Sequence, residues 1–298
     1  MKVHFAGLEN KDFACVLIRC AGVRYGLFSV YYFIGEFFGL KPVRFKYCVP
    51  DVGAYLHKNC AHCIMDSGIF TLMLGAESGR RDRKFLDAWQ DKIVEFVDTY
   101  KYPGTLVEVD CQKILGINDA WEMREQLRTR LPTHQVINVY HTEDGKDGLD
   151  RLIEFSDYLA LSIPEAKKTR IPNLPEYLYR QACYIKSKKP DIKIHLLGCT
   201  DSRIMRKLHF CDSCDSTSWQ QVNRYGTGVF IDPLTDRPEK IGRTAYERNA
   251  VTLNEKTKIA LAIDGMEPIG KKSTYYSNYW LNCLYLKNLY EKSAGPQD

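Results

Sequence analysis

The chain has 298 residues, 45% of them hydrophobic, which is enough to bury a large core and argues against disorder. A formal charge of +5 permits a polyanionic partner without demanding one. Eleven cysteines at scattered spacings do not read as a disulfide framework, and Met1-Lys2-Val3-His4-Phe5 does not open a signal peptide, so a reducing cytoplasm is expected.

In chain order, the apolar runs at 3–6, 15–18 and 44–47 are expected to supply the opening strands of a sheet. The most apolar stretch, 25–40, is shorter than a membrane span needs and carries Glu36, so it reads as a buried helix or strand pair and no membrane is implied. From about residue 60 onward, strands and helices alternate. Cys63-Ile64-Met65 ends at Asp66 and precedes a helix over 84–100; Leu106-Val107-Glu108-Val109 ends at Asp110 and precedes a helix from Asn118 through Arg128. Val136-Ile137-Asn138-Val139-Tyr140 ends at His141, with a helix over 146–155, and Tyr158-Leu159-Ala160-Leu161 ends at Ser162, with a helix over 175–188. A strand over 192–197 ends at Gly198-Cys199-Thr200, and a short helix through Arg206 leads to Asp212 and Asp215.

Nearly continuous apolar strands alternating with helices argue for a parallel sheet covered on both faces. Six polar residues, Asp66, Asp110, His141, Ser162, Thr200 and Asp215, fall at the carboxyl ends of strands. In a (β/α)8 TIM barrel all those ends share one face, whereas an open sheet gathers only those beside its switch point, so the α/β barrel is expected. Residues 1–230 are assigned to the barrel and 231–298 to a short C-terminal extension packed on it. That extension follows a strand at 225–231 and contains a Tyr-rich run that reads as a helix with its aromatic stripe on the barrel. No GxGxxG or P-loop spacing occurs, and no cofactor is expected.

Asp66-Ser67-Gly68 and Asp215-Ser216 each place a carboxylate where an apolar run gives way to small residues. Two such groups converging on one rim can work as a pair on a glycosidic bond. The bland alternatives are a turn or N-cap aspartate for Asp66, a plain turn for Asp215, a capped strand end for Asp110 and a satisfied rim histidine for His141. Arg80, Arg81, Arg83 and Lys84 follow the Asp66 segment; they form either a phosphate track or a solvated helix face. His57, Cys60, His62 and Cys63 are ligand-type residues, but His62 and Cys63 are neighbours in a strand and point to opposite faces, so no metal is expected. Cys211 and Cys214 read as buried thiols.

Several segments carry a family resemblance. Asp66-Ser67-Gly68 with Phe70, His195-Leu196-Leu197-Gly198 and Asp212-Ser213-Cys214-Asp215-Ser216 resemble the corresponding segments of tRNA-guanine transglycosylases. Phe5-Ala6-Gly7, Val139-Tyr140-His141, Tyr158-Leu159-Ala160-Leu161 and Asp215-Ser216-Thr217-Ser218-Trp219 look closer to the short phage-type branch associated with 7-deazaguanine DNA modification. The resemblance covers residues 3–230. It implies a pentosyltransferase that exchanges guanine for a 7-deazaguanine through a covalent intermediate on Asp215, with Asp66 holding and protonating the base. Asp110 would meet the purine edge, Phe70 would stack on it, and Ser67, Gly68, His141, Ser162 and Gly198 would complete the pocket. The implied partners are DNA in preference to tRNA, the free 7-deazaguanine base, and proteins of a DNA-modification pathway. The chain departs from the family at its zinc site, because after Asp215 only Cys283 and no histidine remains. The alternatives are a tRNA-guanine transglycosylase, a non-catalytic nucleic-acid-binding paralogue, and a barrel metallohydrolase using His57, Cys60, His62 and His141.

Overall fold

Eight parallel strands close into a barrel in the computed structural model, with each strand paired to the next and β1 paired to β8. The structure describes residues 1–9, 14, 17–18, 21–40, 58–74, 82–199, 201–220, 228–232, 237–241, 283, 286–287 and 289–295. In order the elements are β1 (Lys2–Ala6), β2 (Tyr25–Ser29), α1 (Tyr31–Ile34), β3 (His62–Asp66), α2 (Ile69–Leu74), α3 (Arg83–Tyr100), β4 (Thr105–Val107), α4 (Gln112–Leu115) and α5 (Ile117–Arg130). They continue with β5 (Val136–Tyr140), α6 (Gly145–Phe155), β6 (Tyr158–Ser162), α7 (Ile163–Lys168), α8 (Leu174–Lys188), β7 (Lys193–Leu197), α9 (Ser202–Lys207) and β8 (Ser213–Ser216). This is the (β/α)8 architecture expected from the alternating pattern.

Period-two alternation sorts each strand into an inner and an outer face. Ala6, Leu27, Ile64, Val107, Ile137, Val139, Tyr158 and Ala160 form one buried cluster inside the barrel. Val3, Phe5, Cys63, Met65, Leu159, Ile194 and Leu196 belong instead to the larger core shared with the helices. The same parity sends Asp66 inward above Ile64 and Asp215 inward above Ser213. α3 shows how a helix covers the outer layer. Asp82 caps it by accepting from the Phe85 N–H at 2.9 Å, and Leu86, Trp89, Ile93 and Val97 form its buried stripe.

One buried ion pair pins α5 to the sheet. Both Glu108 oxygens accept from Arg124 Nε, at 3.0 and 2.8 Å, and also take the Asn138 amide at 2.6 Å and the Val139 N–H at 2.8 Å. Both carboxylate oxygens thereby have donors, and Arg124 Nη2 donates to the Val139 carbonyl at 3.1 Å, the kind of satisfaction under which a buried ion pair is tolerated.

The second strand is not where the sequence reading put it. It is Tyr25–Ser29, inside the long apolar stretch, while Leu17 and Ile18 are helical and residues 44–47 lie outside the described set. The expected strand near 225–231 is β9 (Gly228–Asp232), which pairs antiparallel with β10 (Arg237–Ile241) in a separate two-stranded sheet. Near the C-terminus, the Tyr290 hydroxyl lies 3.4 Å from Ser216 Oγ and its ring packs against Phe5. Most of the Tyr-rich run before it falls outside the described residues. Among the described residues, no helix is long and apolar enough to cross a membrane.

Candidate active site

Asp66 is the last residue of β3, and the turn behind it is built for close packing. Gly68 has φ +79, and a Cβ there would stand 2.6 Å from Tyr31 Cβ, so a side chain is excluded twice over. Its N–H donates to Asp66 Oδ2 at 3.2 Å, and the Trp89 indole N–H donates to the Ser67 carbonyl at 2.8 Å, fixing the turn to α3. Although part of its surface opens to the barrel mouth, the Asp66 carboxyl is packed round by protein. Burial pushes it up to about 6; the Gly68 N–H opposes that change, and the nearby charges of Asp215 and Asp110 add to it. Asp66 at the end of β3, Asp110 just after β4 and Asp215 in β8 all lie toward the carboxyl ends of the parallel strands and so share one mouth.

Asp215 sits inside β8 and is buried. Two donors converge on one of its oxygens: the Gly198 N–H at 2.6 Å and His195 Nε2 at 3.2 Å, both on Oδ1. Gly198 reaches that position with φ +65, and a Cβ there would meet Pro164 Cγ at 2.9 Å. Among the described residues no donor reaches Oδ2. Among those residues the carboxylate is therefore held through one oxygen only.

A third group flanks the pair. His141 follows β5 and is buried between two carboxylates, with Nε2 at 2.7 Å from Asp110 Oδ1 and Nδ1 at 2.8 Å from Glu165 Oε2. Burial disfavours the charged ring, but the two hydrogen-bonded carboxylates outweigh it and push His141 up to about 10, so it is an imidazolium at neutral pH. Burial likewise works against the Glu165 charge, yet the His141 ring holds that carboxyl below the ordinary range. Ser162 ends β6 and caps α7, its hydroxyl accepting from the Glu165 N–H at 3.4 Å. It thus positions Glu165 and, through it, the ring.

The remaining candidates divide. Phe70, the second residue of α2, is 59% exposed just after the Asp66 turn. Arg83 is not a free cation: Asp87, Asp119 and Glu122 accept from it at 2.8, 2.6 and 2.9 Å. Lys84 is exposed, and Arg80, Arg81 and Thr200 lie outside the described residues. The metallohydrolase set does not assemble. His62 faces the lower barrel interior, 2.9 Å from His4, while His141 is held at the mouth and His57 lies outside the described residues. Among the described residues no group of three or more His, Cys, Asp or Glu is placed to hold a metal ion. A cavity of about 570 Å³, lined by His62, Tyr102, Thr105, His134 and Gln135, opens at the amino-terminal end of the strands, away from the carboxylates.

Sequence reasoning passed over Glu165 and gave His195 no role. Glu165 reads as an ordinary first-turn acid of α7, and His195 lies within an apolar strand. The signal for His195 was available, since it shares inward parity with Leu197, and β8 pairs Ser213 opposite it.

No protein-family profile and no curated protein matches the chain. Among solved structures it is similar to N-acetylneuraminate lyase from Mycoplasma synoviae, with 10% identity, a TM-score of 0.44 and coverage of 97% of each chain. On this finding the guanine-transglycosylase expectation is corrected. The solved structure is a lyase, and the pentosyltransferase activity, the 7-deazaguanine exchange, the DNA modification and the three alternatives weighed with them are set aside. At that identity and TM-score the likeness carries no activity over to this chain.

Proposed function

We propose that the chain is an enzyme that works by carboxylate acid–base chemistry on a small, flat, N–H-rich substrate bound at the barrel mouth. The observation that carries this reading is a pair of neighbouring aspartates in unlike environments. Asp66 is raised to about 6 by burial and by its acidic neighbours, whereas Asp215 is buried with two donors on Oδ1 and, among the described residues, none on Oδ2. Neighbouring titratable groups in contrasting settings are the usual mark of an assigned acid and base. Asp66, with a midpoint raised to about 6, supplies the proton, and Asp215 Oδ2 serves as base or nucleophile.

The substrate class follows from the lining. Asp66, Asp110 and Asp215 make the mouth rich in acceptors, and the cations beside them among the described residues are committed: His141 through both ring nitrogens, and Lys113 to Glu143 and Glu165. A ligand bearing several N–H donors satisfies such a mouth, an anion does not, and the exposed Phe70 ring gives a planar ligand a face to stack on. The described cysteines are free thiols, which supports a reducing compartment.

The test is a thermal-shift screen of planar amidines, aminated heterocycles and matched carboxylic acids, followed by mass spectrometry of turnover in a small-molecule extract. Stabilisation by the donor-rich compounds and turnover lost in both Asp66→Asn and Asp215→Asn is the expected result. Preferential stabilisation by the acids, or turnover that survives both substitutions, rejects the reading.

A further inference from the structure

Beneath Asp215 a chain of buried polar side chains runs down the inside of the barrel. His195 Nε2 faces Asp215 Oδ1, His195 Nδ1 lies 2.5 Å from Ser213 Oγ, and Ser213 Oγ lies 2.5 Å from the Tyr158 hydroxyl. The residues come from β7, β8 and β6, and all are buried. They occupy positions where a barrel interior is ordinarily packed with branched apolar side chains.

Counting hydrogens sets the direction of this chain. Burial pushes the Tyr158 phenol up, so its hydroxyl keeps its hydrogen, and among the described residues Ser213 Oγ is the one partner it reaches. A buried hydroxyl hydrogen left unused costs about 1–3 kcal/mol, so Tyr158 donates to Ser213. Among the described residues the Ser213 hydrogen then has one acceptor, the Nδ1 lone pair of His195. That leaves Nδ1 without a proton and puts the ring hydrogen on Nε2, aimed at Asp215. Among the described residues, the one other ring facing His195 besides Tyr158 is His4, 6.3 Å away on β1, which burial and its two histidine neighbours keep neutral.

We propose that Ser213 and Tyr158 are positioning residues for Asp215, acting by locking His195 as the neutral Nε2–H tautomer. A histidine beside a buried carboxylate would otherwise take a second proton and neutralise it as an ion pair. The two hydroxyls block that second proton, so His195 orients Asp215 through Oδ1 without cancelling its charge. The inference rests on the reading of Asp215 as the reacting carboxylate.

The test needs no substrate, so its failure is distinct from failure of that reading. With 15N-labelled histidine, long-range nitrogen–proton NMR at about pH 6.5, the midpoint of an unperturbed histidine, reports both ring nitrogens of His195. The wild-type ring is expected with Nδ1 unprotonated and Nε2 protonated. A ring with both nitrogens protonated, or with Nδ1–H alone, overturns the proposal. In the Tyr158→Phe, Ser213→Ala double variant water can accept from Nδ1, and the Nδ1 signal should move to the protonated position at the same pH. The Tyr158→Phe, Ser213→Thr variant should return it to the wild-type position. If the Nδ1 signal is identical in wild type and a folded double variant, the hydroxyls do not set the tautomer. If the double variant does not fold, the wild-type measurement decides alone.

Discussion

His141 Nε2 stands 2.7 Å from Asp110 Oδ1, so a half-buried carboxylate at the barrel mouth is held by a buried ring that Glu165 grips from its other side. The arrangement ties the loop after β4 to the loop after β5.

Its pH signature follows from the raised His141 midpoint. A group whose folded value lies near 10 against an ordinary 6.5 contributes stability that is fully present below about 6.5 and is lost as the pH rises through about 10. Denaturant unfolding of wild type from pH 6 to pH 10 should therefore show a decline on the order of 4 kcal/mol. His141→Gln should be less stable at pH 6 and should show a flatter profile. An equal slope in both proteins would mean that His141 is not charged in the folded state.

Asp66 gives a second pH signature at lower pH. Its folded value near 6 lies above the ordinary 3.8, so the folded chain keeps a proton that the unfolded chain has released, and stability falls as pH rises from about 4 to about 6. Asp66→Asn removes that slope. Above pH 6 the variant should be more stable than wild type by on the order of 2 kcal/mol, since each tenfold change in proton affinity is worth about 1.4 kcal/mol and the Gly68 contact is partly retained. A less stable variant at pH 7 would show that the carboxylate is not strained by its surroundings.

The Asp66 turn should tolerate no side chain at its glycine. Gly68→Ala brings a Cβ to 2.6 Å from Tyr31 Cβ at φ +79, and a loss of about 2–4 kcal/mol is expected. Gly39 is the control: with φ +70 and ψ 11 it is in the ordinary left-handed region, and a Cβ there meets nothing within 4 Å among the described residues, so Gly39→Ala should cost only the backbone strain of about 1 kcal/mol. Equal costs at the two positions would remove the steric argument.

The Glu108–Arg124 pair should behave as a unit. Arg124→Met leaves a buried carboxylate with only the Asn138 and Val139 donors, and a loss of about 3–5 kcal/mol is expected. Adding Glu108→Gln removes the stranded charge and should recover part of that loss. Additive losses in a double-mutant cycle would contradict the pairing.

The sequence was most legible where strands end. Asp66, Asp110, His141, Ser162 and Asp215 stood out because a polar residue closes an apolar run, and the structure brings them to one end of the barrel. β2 was not legible, because Tyr25–Ser29 lies within a continuous apolar stretch where period two and period 3.6 give the same pattern. Long-range partners were the other blind spot. Nothing local marks Glu165 as the second carboxylate on His141, or Ser213 as the neighbour of both His195 and Tyr158, since those contacts exist only once separate strands are in register. Arg83 erred in the opposite direction: a cluster of positive residues reads as a surface for anions until the carboxylates of α3 and α5 are seen around it.

The Trp219 indole donates to the Ala6 carbonyl at 2.9 Å, across 213 positions of sequence. β1 also takes β8 as its neighbour, with His4 opposite Asp215. During synthesis, therefore, β1 waits with one edge unpaired until the roughly 200 residues that separate it from β8 have been made. Asp215 comes into place only in that last pairing. Closing so long a loop is slow and entropically costly, so incomplete chains should present an exposed strand edge and no assembled site. The chemistry at the mouth is thus a property of the finished barrel, switched on by the same event that hides its stickiest edge.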